Sequence, residues 1–277
     1  MGINGGTGIV GSGATLGGSG IHINRGGGGG FDPAASAIIA QMTANGSTPT
    51  EARQLLINQL VLNLKGLGNN GASDVWSQLD ILNVHAAEDE IQAQTQWINA
   101  DGTYDSVQVG TPTFTSDVGF SSTSGANRID PIWNAATGLG NYTQNDACMG
   151  YYGTVEQGSY FLGDSGINYI RFRGGNGLNR DAAFNGGFTA GAVDWGSLDG
   201  MFTYDRALST EYKAYTNITE SATIIRNSGA LVSDQILYPY AFNSGGSQNC
   251  KIFFAGASIR ADIEQLKASF DAYLNAL

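Results

Sequence analysis

Leu79-Asp80-Ile81-Leu82-Asn83-Val84 marks the point where the texture of the chain changes. Apolar and polar residues alternate here with the period of two that a strand needs to bury one side. That period puts Leu79, Ile81 and Asn83 on one face. Further short β-rich runs follow, at 106–109, 113–115, 147–152, 159–162, 169–172, 200–204, 222–226, 235–242 and 251–255. Gly, Asn and Asp punctuate them, and no helix-length repeat separates them. Such a series argues for an all-β, antiparallel sandwich rather than a parallel sheet with crossover helices.

Composition agrees. Of 277 residues, 13% are charged, 42% are hydrophobic and 41 are glycine, so turns are plentiful and long solvated helices are few. The formal net charge of -11 repels phosphate over most of the surface, which argues against nucleic acid as a partner. No apolar run approaches the roughly 20 residues of a membrane span, and the N-terminus lacks a basic region followed by an apolar core. Neither membrane insertion nor export by a standard signal is expected. The only cysteines, Cys148 and Cys250, are too few for a cysteine-rich scaffold; a bridge between them and two buried thiols are both open readings.

Upstream of the strands, residues 1–31 form a glycine-rich arm, with 14 glycines and one charge, Arg25, in the first 30. Such a segment cannot bury enough surface to offset its own ordering entropy. Gly11-Ser12-Gly13 within it lacks the strand, helix and lysine of a phosphate loop. Residues 32–72 read as a short helical segment. Asp32-Pro33 caps a first helix with Ile38, Ile39 and Met42 on its apolar side, ending at Asn45-Gly46. Thr48-Pro49-Thr50-Glu51 reads as a capping box opening a second, with a Leu56, Leu60, Leu64 stripe and a stop at Gly66. The remaining 73–277 hold the β-domain and close on a third helix, whose stripe is Ile259, Ile263, Leu266, Phe270, Tyr273 and Leu277. These helices should pack on the β-domain or on each other.

Several segments read in order carry a resemblance. They are Val75 to Asp89, Val109 to Phe120, Tyr142-Thr143-Gln144-Asn145, Ile225 to Gly229, and Lys251 to Ser258 before the last helix. Together they resemble the concanavalin A-like, lectin-type jelly-roll domains of phage and prophage virion proteins. The resemblance covers roughly Thr48 to Leu277 and implies a two-sheet antiparallel sandwich at a virion surface. It implies capsid or tail proteins as partners and many copies or a homo-oligomer. It also implies contact with a host cell-surface glycan. It brings no catalytic residues. Glucanases on this fold use two glutamates flanking an aspartate at alternate strand positions, whereas Glu88-Asp89-Glu90 are consecutive and would face opposite ways.

The residues themselves offer one binding constellation. Alternation in Tyr169-Ile170-Arg171-Phe172-Arg173 sets Tyr169, Arg171 and Arg173 on one strand face, and Arg180 follows closely. In an acidic chain such arginines either pair with carboxylates or grip an anionic partner, while Trp195 or Tyr151 could offer a flat face to a sugar ring. The alternative for each aromatic is the core. His22 and His85 are too few for a histidine-rich metal centre or an obvious triad. No cofactor is expected; calcium is conceivable at Asp101-Gly102-Thr103-Tyr104-Asp105 or around Asn176 to Asp181, where ordinary Asx turns are the default. The reading is a non-enzymatic virion surface protein, docked through its N-terminal region and presenting a jelly roll outward. A capsule depolymerase and a ligand-free cement protein are the alternatives.

Overall fold

A computed structural model describes residues 30–68, 73–122, 126–137, 140–155, 160–164, 170–173, 180–185, 189–197, 199–229, 231, 236–237 and 248–277. The glycine arm falls outside the described residues. In chain order the helices are α1 (Pro33–Ala44), α2 (Glu51–Leu64), the short α3 (Glu90–Gln94) and α4 (Ile263–Leu274). The strands are β1 (Leu79–Val84), β2 (Val107–Val109), β3 (Thr113–Thr115), β4 (Gly119–Ser122) and β5 (Arg128–Asp130). Next come β6 (Ala147–Thr154), β7 (Tyr160–Asp164), β8 (Ile170–Arg173), β9 (Arg180–Phe184) and β10 (Thr189–Val193). The last are β11 (Asp199–Leu208), β12 (Glu211–Thr216), β13 (Thr219–Ile225), β14 (Ile236–Leu237) and β15 (Gln248–Gly256).

They form the antiparallel sandwich that the sequence predicts. The larger sheet has the order β13-β12-β11-β6-β15-β4-β3, with β1 also on β15. One end of β15 pairs with β4 and the other with β1. The smaller sheet has the order β10-β9-β8-β7-β14, and β2 and β5 make a separate ribbon.

Strand alternation gives the larger sheet two buried faces. Met149, Tyr151, Phe202, Tyr204, Tyr212, Phe253 and Ala255 face a core shared with Phe184, Val193 and Trp195 near the smaller sheet. Cys148, Met201, Ile252 and Phe254 face the other way, into a core built with Ile38, Leu60, Leu64, Leu266 and Phe270 of the helices. Segment 32–72 therefore shares a core with the β-domain. Gly150 makes room on the helix side: a Cβ there would lie 1.9 Å from the Phe254 ring.

Two sequence expectations are corrected. In β1 the register shifts between Leu79 and Ile81, so Asp80 is an extra, bulged residue. Leu79 thereby joins Leu82 and Val84 on the helix side, while Ile81 faces the sandwich core. The freed Asp80 is fully buried and its carboxylate accepts the N–H groups of Asn141 and Tyr142, both at 2.9 Å. Second, α2 starts at Glu51 with Thr50 as its N-cap. The carboxylate expected from a capping box comes instead from Glu88, which accepts the Thr50 N–H at 2.9 Å and the Thr50 hydroxyl. The reciprocal half of the box is thus supplied across the molecule. The cysteines, whose pairing the sequence leaves open, do not bond, which agrees with the reading of two buried thiols. Cys148 and Cys250 are free, buried, and on opposite faces of the larger sheet. The cap at Asp32, the positive φ of Gly46 and Gly66, and the α4 stripe from Ile263 through Tyr273 agree with expectation; Ile259 is buried ahead of the helix, and Leu277 lies past it and is exposed.

Candidate binding face

The register of the smaller sheet decides where the predicted arginines fall. Phe184 is fully buried in the sandwich core, so its position in β9 identifies the core side of that strand. Ile170 pairs with Phe184, Arg171 with Ala183 and Phe172 with Ala182. Directly paired positions in antiparallel strands share a face and neighbours alternate. Positions 171 and 173 therefore fall on the outer face of the sheet, on its central strand. Position 180 has the parity of Phe184 and pairs with Val193, itself buried in the sandwich core, so it falls on the opposite face. The predicted group of three arginines is split two and one by the pleat. Tyr169 lies outside the described residues, as do the side chains of β8.

The two aromatic candidates are corrected. Tyr151 and Trp195 are 0% and 1% exposed, and both stand in the sandwich core. The Tyr151 hydroxyl donates to the Asn249 carbonyl, and the Trp195 ring packs 5.3 Å from that of Tyr204 and 5.5 Å from that of Phe202. Neither ring can lie under a sugar without the sandwich opening. β6 passes through the middle of the larger sheet, where both faces are covered, and that position is what buries Tyr151.

Arg206 and Asn185, which sequence reasoning did not single out, hold the two sheets together at one end. Arg206 is fully buried on β11 and donates to the carbonyls of Phe184 at 2.8 Å and Arg226 at 3.0 Å, with its guanidinium 5.1 Å from the centre of the Tyr212 ring. A guanidinium offers five donors in a fixed fork, which suits it to gathering carbonyls from several chain turns. Asn185 adopts a φ of 46° and accepts the Tyr142 hydroxyl at 2.6 Å. Between them they anchor the end of β9, and β9 carries β8. These are positioning residues for the outer face. The only signal in the sequence is the charge of Arg206 just after the β-rich run at 200–204, and Asn185 gives none.

The acidic cluster at 88–90, His85 and the two cysteines are committed to structure. Glu88 closes the α2 cap, Asp89 accepts the Gln92 N–H at the start of α3, and Glu90 accepts from Gln108. Partial burial raises the Glu88 pKa, but hydrogen bonds from Thr50 and Gln92 and the nearby Arg53 charge outweigh it and hold the carboxyl below its ordinary range. Burial pushes His85 down to about 4, and its Nδ1 lies 2.6 Å from the Ala93 carbonyl, so the ring is neutral and donates there. Burial likewise raises both thiols well above the ordinary cysteine value. In the proposed calcium loop, Asp101 accepts the Thr103 N–H at 2.9 Å in an Asx turn, and Asp105 accepts the Gln96 N–H at 2.9 Å across the loop. Residues 176–179 of the second loop lie outside the described residues. Among the described residues no group of three His, Cys, Asp or Glu is placed to hold a metal ion, and no helix is long and apolar enough to cross a membrane.

No protein-family model matches the chain, and no curated protein does. Among solved structures, the chain is similar to domain 4 of a GH43 extracellular arabinanase from Geobacillus stearothermophilus, in complex with arabinotriose, at 13% identity and a TM-score of 0.48, covering 69% of this chain and 98% of that one. It is similar to the receptor binding domain of botulinum neurotoxin mosaic serotype C/D at 10% identity and a TM-score of 0.49, over 71% of this chain and 51% of that one. A third is Trypanosoma rangeli sialidase, at 12% identity and 0.47, over 81% and 40%. The chain thus spans about half of the toxin domain and less than half of the sialidase.

Proposed function

We propose that this chain is a non-catalytic recognition module of a phage-like particle, which presents the outer face of its smaller sheet to an anionic glycan on a host surface. The observation that supports this most directly is the layering. The central strands of the larger sheet are buried on both faces, one by the sandwich core and one by the helices, and the pleat assigns two arginine positions of the central β8 strand to the face of the smaller sheet turned away from the sandwich core. In a chain with a net charge of -11, two cations at alternate positions of one strand suit the carboxylate or sulfate groups of an acidic polysaccharide. The structural commitments of Glu88, Asp89, His85 and the thiols favour binding over hydrolysis. The virion setting rests on the resemblance of the segments from Val75 to Ser258, with docking to capsid or tail assigned to the N-terminal region. Many copies on one particle would sum weak individual contacts.

The test is adsorption of the purified chain to host cells and to their extracted acidic polysaccharide. Arg171→Ala with Arg173→Ala is expected to reduce both by about tenfold or more, since a charge-assisted contact contributes roughly 1.5–3 kcal/mol, while circular dichroism stays unchanged. Binding that survives the double substitution would move the site off this face. Release of reducing ends by the purified chain would replace the module with a depolymerase.

A further inference from the structure

The free edge of the larger sheet points to a second site. Among the described residues, β13 is the last strand on its side of the sheet and pairs only with β12. Edge strands of folded proteins are commonly guarded by lysine, proline or a bulge, because unpaired N–H and C=O groups recruit other strands. β13 has a register shift between its pairings with Ala214 and Tyr215, which leaves Ser221 as an extra residue, and that guards its first half. From Ala222 to Ile225 there is no bulge, no proline and no charge. Ile225 is 75% exposed, the largest value for any large apolar side chain among the described residues.

Hydrogen bonding identifies the groups that point outward. Arg226 donates its N–H to the Thr210 carbonyl of the neighbouring turn, in register with the pairing of Ile225 with Glu211 and of Ile224 with Tyr212. The N–H and C=O of one strand residue point to the same side and alternate along the chain. Positions 222, 224 and 226 therefore face β12, and Thr223 and Ile225 present their backbone groups to the open edge.

We propose that this edge pairs with the same edge of a second copy, antiparallel, about a two-fold axis at Ile224. That axis sets Thr223 of one protomer opposite Ile225 of its partner. Both carry outward N–H and C=O groups, so each such pair exchanges two hydrogen bonds and the larger sheet runs on unbroken into the second copy. A two-fold pairing needs a self-complementary strip, and this one qualifies. Thr223 pairs with Lys213 and Ile225 with Glu211, on the helix side of β12, so the exposed Ile225 of each copy covers Thr223 of the other.

Charge favours a second copy over other occupants. Two chains of net charge -11 repel over most approaches. From Ser221 to Gly229 there is no acid and one cation, Arg226, which is exposed and forms no ion pair among the described residues. Glu220, just before the strip, is neutralised by Lys213 at 2.5 Å. In the proposed register Arg226 falls opposite Ala222 of the partner, close to the partner's Glu220.

Light scattering on the full chain over a dilution series tests this. The wild-type chain should run at twice the mass of one chain and fall to the single mass on dilution. Thr223→Pro should run at the single mass at every concentration with an unchanged circular dichroism spectrum, because the lost N–H faces outward, where an edge strand accepts proline. Ile225→Lys should do the same, and it keeps the test open if the proline variant fails to fold. Leu67→Lys, an exposed residue past the end of α2 and outside the sheet, should keep the double mass. Hydrogen exchange should show the Thr223 and Ile225 amides slowing as concentration rises. A wild-type chain of single mass throughout, a double mass that survives both strip variants, or Thr223 and Ile225 amides that exchange freely in the double-mass species would each overturn the proposal.

Discussion

The two faces of the larger sheet are built from the same strands yet differ in kind. The sandwich side is aromatic: Tyr151, Phe202, Tyr204, Tyr212 and Phe253 meet Trp133, Tyr142, Phe184 and Trp195. The helix side is mostly aliphatic, with Leu79, Leu82, Val84 and Ile252 against Ile38, Ile57, Leu60, Val61 and Leu266. Aromatic rings pack edge to face over several ångströms and bring hydroxyls that need partners, as in the Trp133–Tyr142 pair at 5.2 Å and 80°. Aliphatic side chains fill the ridges between a helix and a sheet without that demand. A sheet that closes a sandwich with one face can thus carry a helical layer on the other, provided that its strands are buried on both faces. β1, buried at all six, is the clearest case.

Adjacent residues of β15 give the sharpest test of that division. Phe253→Ala and Phe254→Ala should each cost about 3–5 kcal/mol in chemical denaturation, as expected for truncating a buried phenylalanine. Hydrogen exchange should separate them: the first loosens the strands facing the smaller sheet, the second α2 and α4. Identical exchange patterns would mean one core rather than two.

Acid should weaken the two sides through different groups. His85 stacks edge-on against Phe120 of the sandwich core at 5.3 Å and holds a pKa of about 4, against an ordinary value of 6.5. The unfolded chain takes up this proton first, so stability should fall from about pH 6.5 down to about pH 4, by about 3 kcal/mol in all. Replacing His85 with Gln should flatten that slope; an unchanged slope would assign it to other groups.

The smallest effect belongs to the helix side. Glu88→Gln should cost about 1 kcal/mol at neutral pH, the usual range for a helix cap. Because the folded carboxyl titrates below its ordinary range, its contribution is complete above about pH 4.5 and disappears as pH falls through the folded value. Wild type and variant should therefore converge in acid, and a constant gap would show that the charge at Glu88 plays no part.

Helix ends were the most legible part of the sequence, since Asp32-Pro33 and Gly66 act within a few residues of the chain and need no tertiary partner. The α2 start was misread because its carboxylate comes from Glu88, on a loop that only folding brings near. The face of Leu79 was misread for a related reason: the bulge at Asp80 is set by pairing with β15 and by the Asn141 and Tyr142 N–H groups, neither visible in a local alternation. β4, β5, β9, β10 and β12 escaped notice. They are three to six residues long and carry Gly, Arg, Asp or Lys that local propensity assigns to turns. At the candidate face, alternation in β8 could pair Arg171 with Arg173, but only the register against Phe184 could exclude Arg180. Tyr151 and Trp195 looked like a platform because sequence shows that a ring is present and not which layer covers it.

Val84 finds its strand partner in Ile252, and Leu79 in Gly256, so the first strand of the larger sheet is completed by the last. A ribosome would therefore have to release the chain as far as Gly256 before β1 could dock. Until then, a strand apolar on both sides waits in the open, a natural client for a chaperone and a point where crowded synthesis would lead to aggregation.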